Sequence, residues 1–460
     1  MKKKLSWGEL LSVSVMLFGM FFGAGNLIFP VHMGQLAGHN VWWALLGFVV
    51  TGVGLPLLSV AALGISRSDG LYSLSSKVGH GYGMFFTCAL YLTIGPAFAI
   101  PRCATTSYTV GAERILGDKA SPLALLIFTL VFFALVLVLS LWPGKILLWI
   151  GRILTPAFLV FLGALVITAL VRPMASVGAV TPDPTYTSGA FVNGFLEGYN
   201  TMDVLAGLAF GIVVVNVIRD LGVQEPGAVA GNTVRAGALG CLIMASIYVA
   251  VAVVGTQSRG QFPISENGGI AFADIAGYYF GAAGNWILAI TVTLACLKTA
   301  VGLVTSCSET FTALFPRSPG YRFWAILFTA VSLLIANVGL STIITYAVPV
   351  LMFLYPLAIS LVVLALCGKL FRNDRAVYIS TIAFTLVAAV FDFLQALESA
   401  LPEKVSAFLH LAAITDTAEK LLPLYDIGLG WLCPAGIGLV IGLIIHFVRR
   451  KSASAAATAE

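Results

Sequence analysis

The stretch from Gly19 to Pro30, GMFFGAGNLIFP, interrupts a hydrophobic segment near the start of the chain. Its central Gly-Ala-Gly-Asn, residues 23–26, has apolar residues on both sides. In the hydrocarbon region of a bilayer every backbone N–H and C=O needs a partner, so unwound backbone persists only where it is packed in protein or lines a wet cavity. The stretch therefore predicts a broken membrane helix whose break is a candidate binding site.

A second interruption runs from Glu197 to Gly211, EGYNTMDVLAGLAFG, five hydrophobic segments further along the chain. Here polar residues, rather than a glycine pair, disturb the apolar run. Two interrupted segments at corresponding positions in two halves are the best sequence indication of a transporter built from inverted repeats. Glycines recur at four-residue spacing in both segments, which indicates close helix packing and would also allow the two breaks to lie side by side.

The composition is that of an integral membrane protein. Of the 460 residues, 59% are hydrophobic and 10% are charged, whereas soluble domains are about 25% charged. The apolar residues form runs of about 20, the length that a helix needs to cross the hydrocarbon core. We therefore predict an all-α polytopic protein with about 12 transmembrane helices. The predicted spans are 9–36, 41–64, 82–110, 121–141, 145–171, 189–216, 232–256, 283–311, 321–338, 341–367, 376–394 and 428–448.

The first ten spans divide into two sets of five, and each set opens with a broken helix. This division predicts a first inverted repeat over residues 1–172, a second over 173–368, two accessory helices over 369–450 and a disordered tail over 451–460. Two further segments, 258–280 and 395–427, are too polar to span. The first of them is predicted to lie on the outer face and to fold over the entrance to the binding site as a partial lid.

The distribution of basic residues predicts the orientation. Most of the 25 Lys and Arg residues fall in the termini and loops on the side of the N-terminus, and cytoplasmic loops are enriched in these residues. The apolar stretch after Lys2, Lys3 and Lys4 lacks a small-residue cleavage site and is read as a membrane helix rather than a signal peptide. Both termini are therefore predicted to be cytoplasmic, in a multi-pass membrane protein.

The first interruption has the chemistry to bind a zwitterion. The N-terminus of a half-helix carries partial positive charge and suits a carboxylate, whereas the opposing C-terminus suits an ammonium or a cation. Gly23 and Gly25 permit the close approach that binding through main-chain atoms requires, and the amide of Asn26 offers an oxygen or a donor. The alternative is a simple glycine kink in a structural helix.

Ionisable residues inside the other spans are also candidates, because charge in a membrane is costly and usually functional. Asp203 is a candidate partner for a substrate ammonium, a cation or a proton, or a structural acceptor for donors on a neighbouring helix. Lys298, near the middle of the eighth span, needs an anion, a set of carbonyls or a shifted pKa. Arg102 is placed near the outer end of the third span, with a helix carbonyl or Glu113 as its partner.

The sequence does not indicate an enzyme. The five His residues are scattered, and the spans contain no paired Asp, Ser-His dyad, metal-ligand spacing or nucleotide-binding loop. The seven Cys residues lie mostly in apolar runs and indicate neither a metal site nor a disulfide framework. We predict no catalytic residues and no cofactor, and the lipid bilayer and a small solute are the expected partners, without nucleic acid.

Four stretches carry a specific resemblance that extends over nearly the whole chain. They are Phe22–Pro30 (FGAGNLIFP), Gly95–Arg102 (GPAFAIPR), Gly198–Asn216 with its Gly-Tyr-Asn-Thr-Met-Asp and Phe-Gly-Ile-Val-Val-Val-Asn motifs, and Ala295–Leu297 together with Thr299–Leu303. Together they resemble the bacterial branched-chain amino acid:cation symporters, the BrnQ-type carriers of leucine, isoleucine and valine.

The resemblance implies a LeuT-type bundle of five plus five inverted helices, with discontinuous helices 1 and 6 and two additional helices. Main-chain groups at Ala24 and Gly25 are then expected to bind the substrate carboxylate. Carbonyls at both breaks, with Tyr199, Asn200 or Asp203, are expected to bind the ammonium. The implied substrate-binding residues are Gly23, Ala24, Gly25, Asn26, Tyr199, Asn200, Thr201, Met202, Asp203 and Leu303. The implied function is import of leucine, isoleucine and valine by Na⁺ or H⁺ symport with alternating access. The alternatives are a carrier of the same fold for another neutral amino acid or a nucleobase, or an uncoupled facilitator.

The same resemblance implies a cation position between the first and eighth helices. It would be formed by carbonyls near Gly19, Phe22 and Ala295 and by the side chains at positions 298 and 299. Thr299 fits this pattern, but Lys298 departs from it, since a hydroxyl or apolar residue is more usual there. One hypothesis is that the Lys298 ammonium occupies the sodium position, which would make transport proton-coupled or independent of cations.

Overall fold

The computed structural model describes residues 4–66, 68–141 and 159–457, and in these ranges the regular elements are helices. The helices are α1 (Trp7–Phe21), α2 (Gly25–Ala37), α3 (Val41–Val49), α4 (Leu55–Ser66), α5 (Leu71–Ser75), α6 (His80–Leu92), α7 (Ala99–Ser107), α8 (Glu113–Leu116), α9 (Pro122–Leu141), α10 (Leu159–Val171), α11 (Pro184–Thr187), α12 (Ala190–Glu197), α13 (Asp203–Asp220), α14 (Pro226–Ser258), α15 (Gly268–Leu314), α16 (Tyr321–Ala336), α17 (Leu340–Cys367), α18 (Arg375–Ala400), α19 (Glu403–Phe408), α20 (Leu411–Leu421) and α21 (Leu432–Ala457).

The predicted polytopic helical class is confirmed. In the described ranges, eight helical segments are long and apolar enough to cross a membrane, and the bent pair α12 and α13 makes a ninth. The shorter apolar helices α1, α10 and α16 account for the remaining predicted spans, with α1 continuing into α2. The predicted fifth span, 145–171, begins outside the described residues. We call the membrane side at which α1 begins the N-side and the opposite side the far side.

Both predicted interruptions are real breaks in helicity. The first break is residues 22–24, between the end of α1 and the start of α2. The second break is residues 198–202, where a 3₁₀ turn, Gly198–Thr201, and Met202 separate α12 from α13. The axes of α12 and α13 differ in direction by 45°. The chain therefore leaves helical geometry at both positions that the sequence indicated.

A third interruption was not predicted. The span predicted as continuous over 82–110 breaks at Gly95, where φ is −100° and ψ is −123°. Pro96 explains the break, because proline has no N–H to donate and its ring clashes with the preceding helical turn. The break separates α6 from α7 and sets the direction of α7, which carries Arg102.

Glycines allow α2 and α12, the far-side halves of the first and sixth spans, to pack closely on neighbouring spans. In α2 and α14, a Cβ on Gly34 would lie 2.0 Å from the carbonyl oxygen of Ala252, and one on Gly255 would lie 2.1 Å from that of Val31. The contact of α3 with α12 is built in the same way. There, a Cβ on Gly47 would lie 2.0 Å from the Phe191 oxygen, and one on Gly194 would lie 2.0 Å from the Ala44 oxygen.

The four-residue glycine spacing in the broken helices serves packing onto other spans. Gly207 and Gly211 of α13 face Ser59 and Val60 of α4. Gly19 and Gly23 face α15 instead. These glycines therefore do not bring the two breaks side by side, and of the two interpretations of the spacing the packing interpretation holds.

The polar segments between the spans are largely helical. Residues 268–280 form the first part of α15, which Asn267 caps by accepting from the amides of Gly269 (3.0 Å) and Ile270 (3.2 Å). Gly281, with a φ of 58°, separates this part from the membrane span. The segment packs on α2, because a Cβ on Gly268 would lie 1.7 Å from the Ile28 oxygen.

The accessory helices α18 and α21 pack along each other. Asp374 joins their N-side ends, since it caps α18 at the Ala376 amide (2.9 Å) and lies 2.7 Å from Nδ1 of His446. The hydrogen bond with His446 lowers the pKa of this carboxyl. The tail was predicted to be disordered from residue 451, but α21 continues to Ala457. Its alanine-rich composition explains the difference, because alanine has the highest helix propensity. Residues 458–460 lie outside the described residues.

Candidate functional site

A cavity of about 50 Å³ lies where the two breaks meet, and we call it the central cavity. Besides Ile94, next to the break at Gly95, and residues of α7, its wall contains most of the predicted substrate-binding residues. Those are Gly23, Ala24, Gly25, Asn26, Thr201, Met202, Asp203 and Leu303. Residues from the first, third, sixth and eighth spans therefore converge on one site.

Asn26 organises the first break. Its Oδ1 atom accepts a hydrogen bond from the amide of Gly23 at 2.7 Å, which satisfies a donor that the interrupted helix leaves without a partner. Its Nδ2 atom donates to Oδ2 of Asp203 at 2.8 Å and also contacts the Tyr248 hydroxyl. One side chain thus closes the first break and ties it to the second. The N-terminus of α2, at Ala24 and Gly25, has no side-chain cap.

The second break depends on a strained residue. Met202 has a φ of 62°, in the left-handed region, which costs about 1–2 kcal/mol for a residue with a Cβ. Its side chain is nevertheless buried in the cavity wall. Thr201 supports the turn by donating to the Gly198 carbonyl (2.9 Å) and accepting from the Asp203 amide (3.4 Å). Strain of this kind persists only where the surrounding structure holds it, and it is common at functional sites.

Asp203 is the acceptor at the centre of a buried network. It receives hydrogen bonds from Asn26 of α2 and, at 3.0 Å, from Tyr248 of α14. It also lies in the first turn of α13, where the helix dipole favours a negative charge. Of the roles predicted for Asp203, a structural acceptor between helices describes this geometry best.

Two predicted substrate ligands lie elsewhere. Tyr199 and Asn200 line a separate cavity of about 890 Å³ on the far side, not the central cavity. The Tyr199 ring stacks on Tyr355 with centroids 4.0 Å apart, and the Asn200 amide donates to Glu197 at 3.2 Å. The 3₁₀ turn and the left-handed Met202 turn these two side chains away from those of residues 201–203. Apolar spacing along the sequence does not reveal such a local change of direction.

Arg102 belongs to the central cavity, in contrast to its predicted place near the outer end. Its side chain is 5% exposed, Nη1 donates to the carbonyl of Asn200 at 2.7 Å, and the guanidinium lies 5.1 Å from the centre of the Phe29 ring. A helix carbonyl is thus its partner, as one of the predicted alternatives stated. The break at Gly95 is the sequence signal that would have placed it more deeply.

A third cavity, of about 340 Å³, lies on the N-side of the central cavity, and we call it the N-side vestibule. The two cavities share Phe210, Thr299 and Leu303 in their walls. The central site therefore adjoins an opening toward the N-side.

Gly19, Lys298 and Thr299, which were predicted to contribute to the cation position, line this vestibule. A Cβ on Gly19 would lie 3.5 Å from Nζ of Lys298, so the ammonium faces the N-side half of the first span. The Thr299 hydroxyl donates to the Ala295 carbonyl at 3.1 Å. Phe22 stacks on Phe18, with ring centroids 4.9 Å apart.

Metal-binding side chains do not cluster in the described part of the chain. Within residues 4–66, 68–141 and 159–457, no three His, Cys, Asp or Glu side chains come together in a group that fits a metal ion.

Tyr248, which donates a hydrogen bond to Asp203, is a functional candidate that was not predicted from the sequence. Its signal was a tyrosine in the middle of the apolar run of α14.

Comparison with known proteins gives consistent results. The family model described as branched-chain amino acid transport protein matches residues 6–449. The branched-chain amino acid permease BrnQ of Lactobacillus delbrueckii subsp. lactis is 49% identical over 98% of this chain and 100% of its own length. The permease of the same name from Bacillus subtilis (strain 168) is 42% identical over 98% of this chain and 100% of its own length.

Solved structures show the same fold at low identity. Mhp1, a nucleobase-cation-symport-1 family transporter in a closed conformation with bromovinylhydantoin bound, has a TM-score of 0.58 and 14% identity, covering 96% of this chain and 93% of Mhp1. MhsT in complex with L-phenylalanine has a TM-score of 0.55 and 15% identity, covering 95% of this chain and 100% of MhsT.

The architecture is that of a multi-pass membrane protein with a LeuT-type bundle, in which the first and sixth spans are broken around a central cavity. Within this class, the chain belongs to the branched-chain amino acid transport protein family.

Proposed function

We propose that this protein imports leucine, isoleucine and valine across the cytoplasmic membrane of a bacterium, by symport with Na⁺ or H⁺. The observation that carries the proposal is the central cavity, which combines an uncapped helix N-terminus with a largely apolar wall. Binding sites for small ligands commonly have this combination of apolar lining and a few placed polar groups. The names of the related permeases support the same substrate class.

The wall of the cavity suits an aliphatic side chain. Phe21, Ile94, Met202, Phe210 and Leu303 contribute apolar surface. The polar groups of the cavity lie at the two breaks, where main-chain dipoles are exposed. A branched aliphatic side chain would occupy the apolar part while the ammonium and carboxylate groups meet the breaks. In this proposal the protein needs no cofactor and performs no chemical reaction.

The arrangement of the cavities supports alternating access. With both termini in the cytoplasm, the N-side vestibule opens inward, and the contact of Arg102 with Asn200 lies on the far side of the central cavity. In the proposed cycle the first, second, sixth and seventh spans rock against the third, fourth, eighth and ninth. The substrate site would then face each side of the membrane in turn.

The test is uptake of radiolabelled leucine into proteoliposomes that contain the purified protein. We expect excess unlabelled isoleucine or valine to reduce uptake at least tenfold more effectively than alanine, methionine or uracil. Empty liposomes are the control. Stronger competition by uracil would favour the nucleobase alternative and would contradict the proposal, and stronger competition by alanine would favour another neutral amino acid.

For the coupling ion, we propose that the Lys298 ammonium occupies the place of a sodium ion between the first and eighth spans. Its position in the N-side vestibule, facing Gly19 and next to Thr299, supports this. A lysine ammonium and Na⁺ carry the same charge, and carbonyl oxygens can partner either of them. Leucine uptake by the unmodified protein should then be independent of sodium and coupled to H⁺, and uptake that follows the leucine gradient alone would favour the alternative of an uncoupled facilitator.

The variant Lys298→Thr should gain sodium dependence, because it removes the ammonium and adds a hydroxyl next to that of Thr299. We expect an inward sodium gradient to stimulate leucine uptake by the variant several-fold, relative to a choline gradient. Lys404→Thr, in the exposed helix α19, is the matched control and should behave like the unmodified protein. A strict sodium requirement in the unmodified protein would refute this role of Lys298.

A further inference from the structure

We propose that the guanidinium of Arg102 binds the carboxylate of the transported amino acid. This inference rests on the proposed function and adds to it the residue that provides the positive charge. The expectation from the sequence was that main-chain amides alone would bind the carboxylate. The structure places a cationic side chain from a third span, α7, at the same point.

The first step in the argument is the burial of Arg102. Its side chain is 5% exposed, and a buried charge is costly unless it is paired and hydrogen-bonded. The ion pairs found among residues 4–66, 68–141 and 159–457 involve other residues, so no carboxylate of these ranges lies within 4 Å of the Arg102 guanidinium. Within the described residues, one carbonyl and one aromatic ring contact the guanidinium directly, and Asp203 attracts it from beyond ion-pair distance.

The second step concerns the donors that remain. A guanidinium has five N–H donors, and the described hydrogen bonds account for the one from Nη1 to the Asn200 carbonyl. Nη2 faces the start of α2, because a Cβ on Gly25 would lie 2.8 Å from Nη2 and 3.2 Å from Cζ. The remaining edge of the guanidinium is therefore directed at the first break, along the wall of the central cavity.

The third step concerns the charge in the part of the central cavity next to Arg102 and the start of α2. The N-terminus of α2 carries partial positive charge and has no side-chain cap, so two positive groups face one small cavity. The nearest acid in the cavity wall, Asp203, accepts hydrogen bonds from Asn26 and Tyr248. An anion that contacts both Arg102 and the N-terminus of α2 from the central cavity would complete the site, and a planar carboxylate matches the geometry of a guanidinium.

Arg102 also connects this anion to the second break. The same guanidinium that faces Gly25 donates to the carbonyl of Asn200. A carboxylate bound by Arg102 would thus be linked to both broken spans through one side chain. Ligands without a carboxylate would leave the guanidinium uncompensated, which makes Arg102 a determinant of specificity for amino acids.

The experiment compares two ligands on purified protein. Leucine and leucinamide share the ammonium and the side chain, but leucinamide lacks the carboxylate charge. Dissociation constants for both come from ligand-dependent thermal stabilisation of the full-length protein, Arg102→Gln, Arg102→Lys and the control Arg114→Gln. Arg114 lies at the far-side end of the same span and pairs with Asp274, outside the central cavity.

We expect Arg102→Gln to weaken leucine binding about 10- to 100-fold, the range for a charge-assisted hydrogen bond. Leucinamide binding should change less than threefold, so that the preference for leucine collapses. Arg102→Lys keeps the charge but not the planar donor set, and should retain part of the preference. If the Gln variant does not fold, the ratio of the leucine and leucinamide dissociation constants of the Lys variant decides whether Arg102 binds the carboxylate. Arg114→Gln should retain the preference of the unmodified protein.

Two results would overturn the inference. Equal loss of affinity for leucine and leucinamide would show that Arg102 only supports the structure. Unchanged leucine affinity would show that main-chain amides bind the carboxylate without it. If the unmodified protein binds no branched-chain amino acid at all, the proposed function itself fails, and this outcome is visible before any variant is made.

Discussion

Replacing Asp203 by alanine is expected to reduce the initial rate of leucine uptake about 100-fold. The variant leaves the Asn26 amide and the Tyr248 hydroxyl without their acceptor, and each buried orphaned donor costs about 1–3 kcal/mol. Because Asn26 closes the first break and Asp203 begins α13, the loss falls on the connection between the two breaks. Uptake into proteoliposomes, normalised to the amount of folded protein, measures the effect.

Asp203→Asn should have a smaller effect, because both hydrogen bonds go to Oδ2 and an amide oxygen in that place can still accept them. The matched control is Asp416→Ala, which removes an exposed carboxylate from α20 and should leave uptake within twofold of the unmodified protein. Uptake by Asp203→Ala above a tenth of the normal rate would mean that the network does not hold the site together.

Gly25→Ala is expected to weaken leucine binding at least tenfold. The added Cβ would lie 2.8 Å from Nη2 of Arg102 and 3.3 Å from the Phe29 ring, closer than atoms normally approach. The guanidinium would have to move away from the start of α2, so the two groups could no longer contact one carboxylate together. Ligand-dependent thermal stabilisation with leucine measures the change.

Gly231→Ala is the matched control for this substitution. Gly231 is an exposed helical residue of α14, and a Cβ there would meet no heavy atom within 4 Å. Leucine binding should be unchanged and thermal stability equal or slightly higher, because alanine favours helix more than glycine does. Normal leucine affinity in Gly25→Ala would indicate that the ligand does not contact the start of α2 and Arg102 together.

The breaks could be predicted from the sequence because their signal is local. When glycines and polar residues interrupt an apolar run in a bilayer, the unwound backbone must be packed in protein or line a wet cavity. Both interruptions occur where this pattern predicted them. The positions of Gly23, Gly25, Thr201 and Asp203 in the cavity wall follow from the breaks themselves. These were the parts of the site for which the sequence analysis needed no knowledge of how distant helices pack.

Other parts of the site depend on geometry that composition does not encode. The direction of Tyr199 and Asn200 is set by a single 3₁₀ turn and by the left-handed Met202. The depth of Arg102 depends on the break at Gly95. Tyr248 reaches Asp203 only because α14 packs on α2, which is a long-range contact. Hydrophobic periodicity reports which residues lie in a span, not the side chains they meet there.

The interleaved glycines described above limit which parts of the protein can bend. Gly34 and Gly255 seat α2 on α14 with main chains in contact, and Gly47 and Gly194 seat α12 on α3 in the same manner. Neither α2 nor α12 can tilt unless its partner helix moves with it. At these contacts no side chain lies between the two main chains that could repack to allow the tilt. Bending during a transport cycle would then be concentrated in residues 22–24 and 198–202. These two breaks would act as hinges, and each packed helix pair would move as a rigid body.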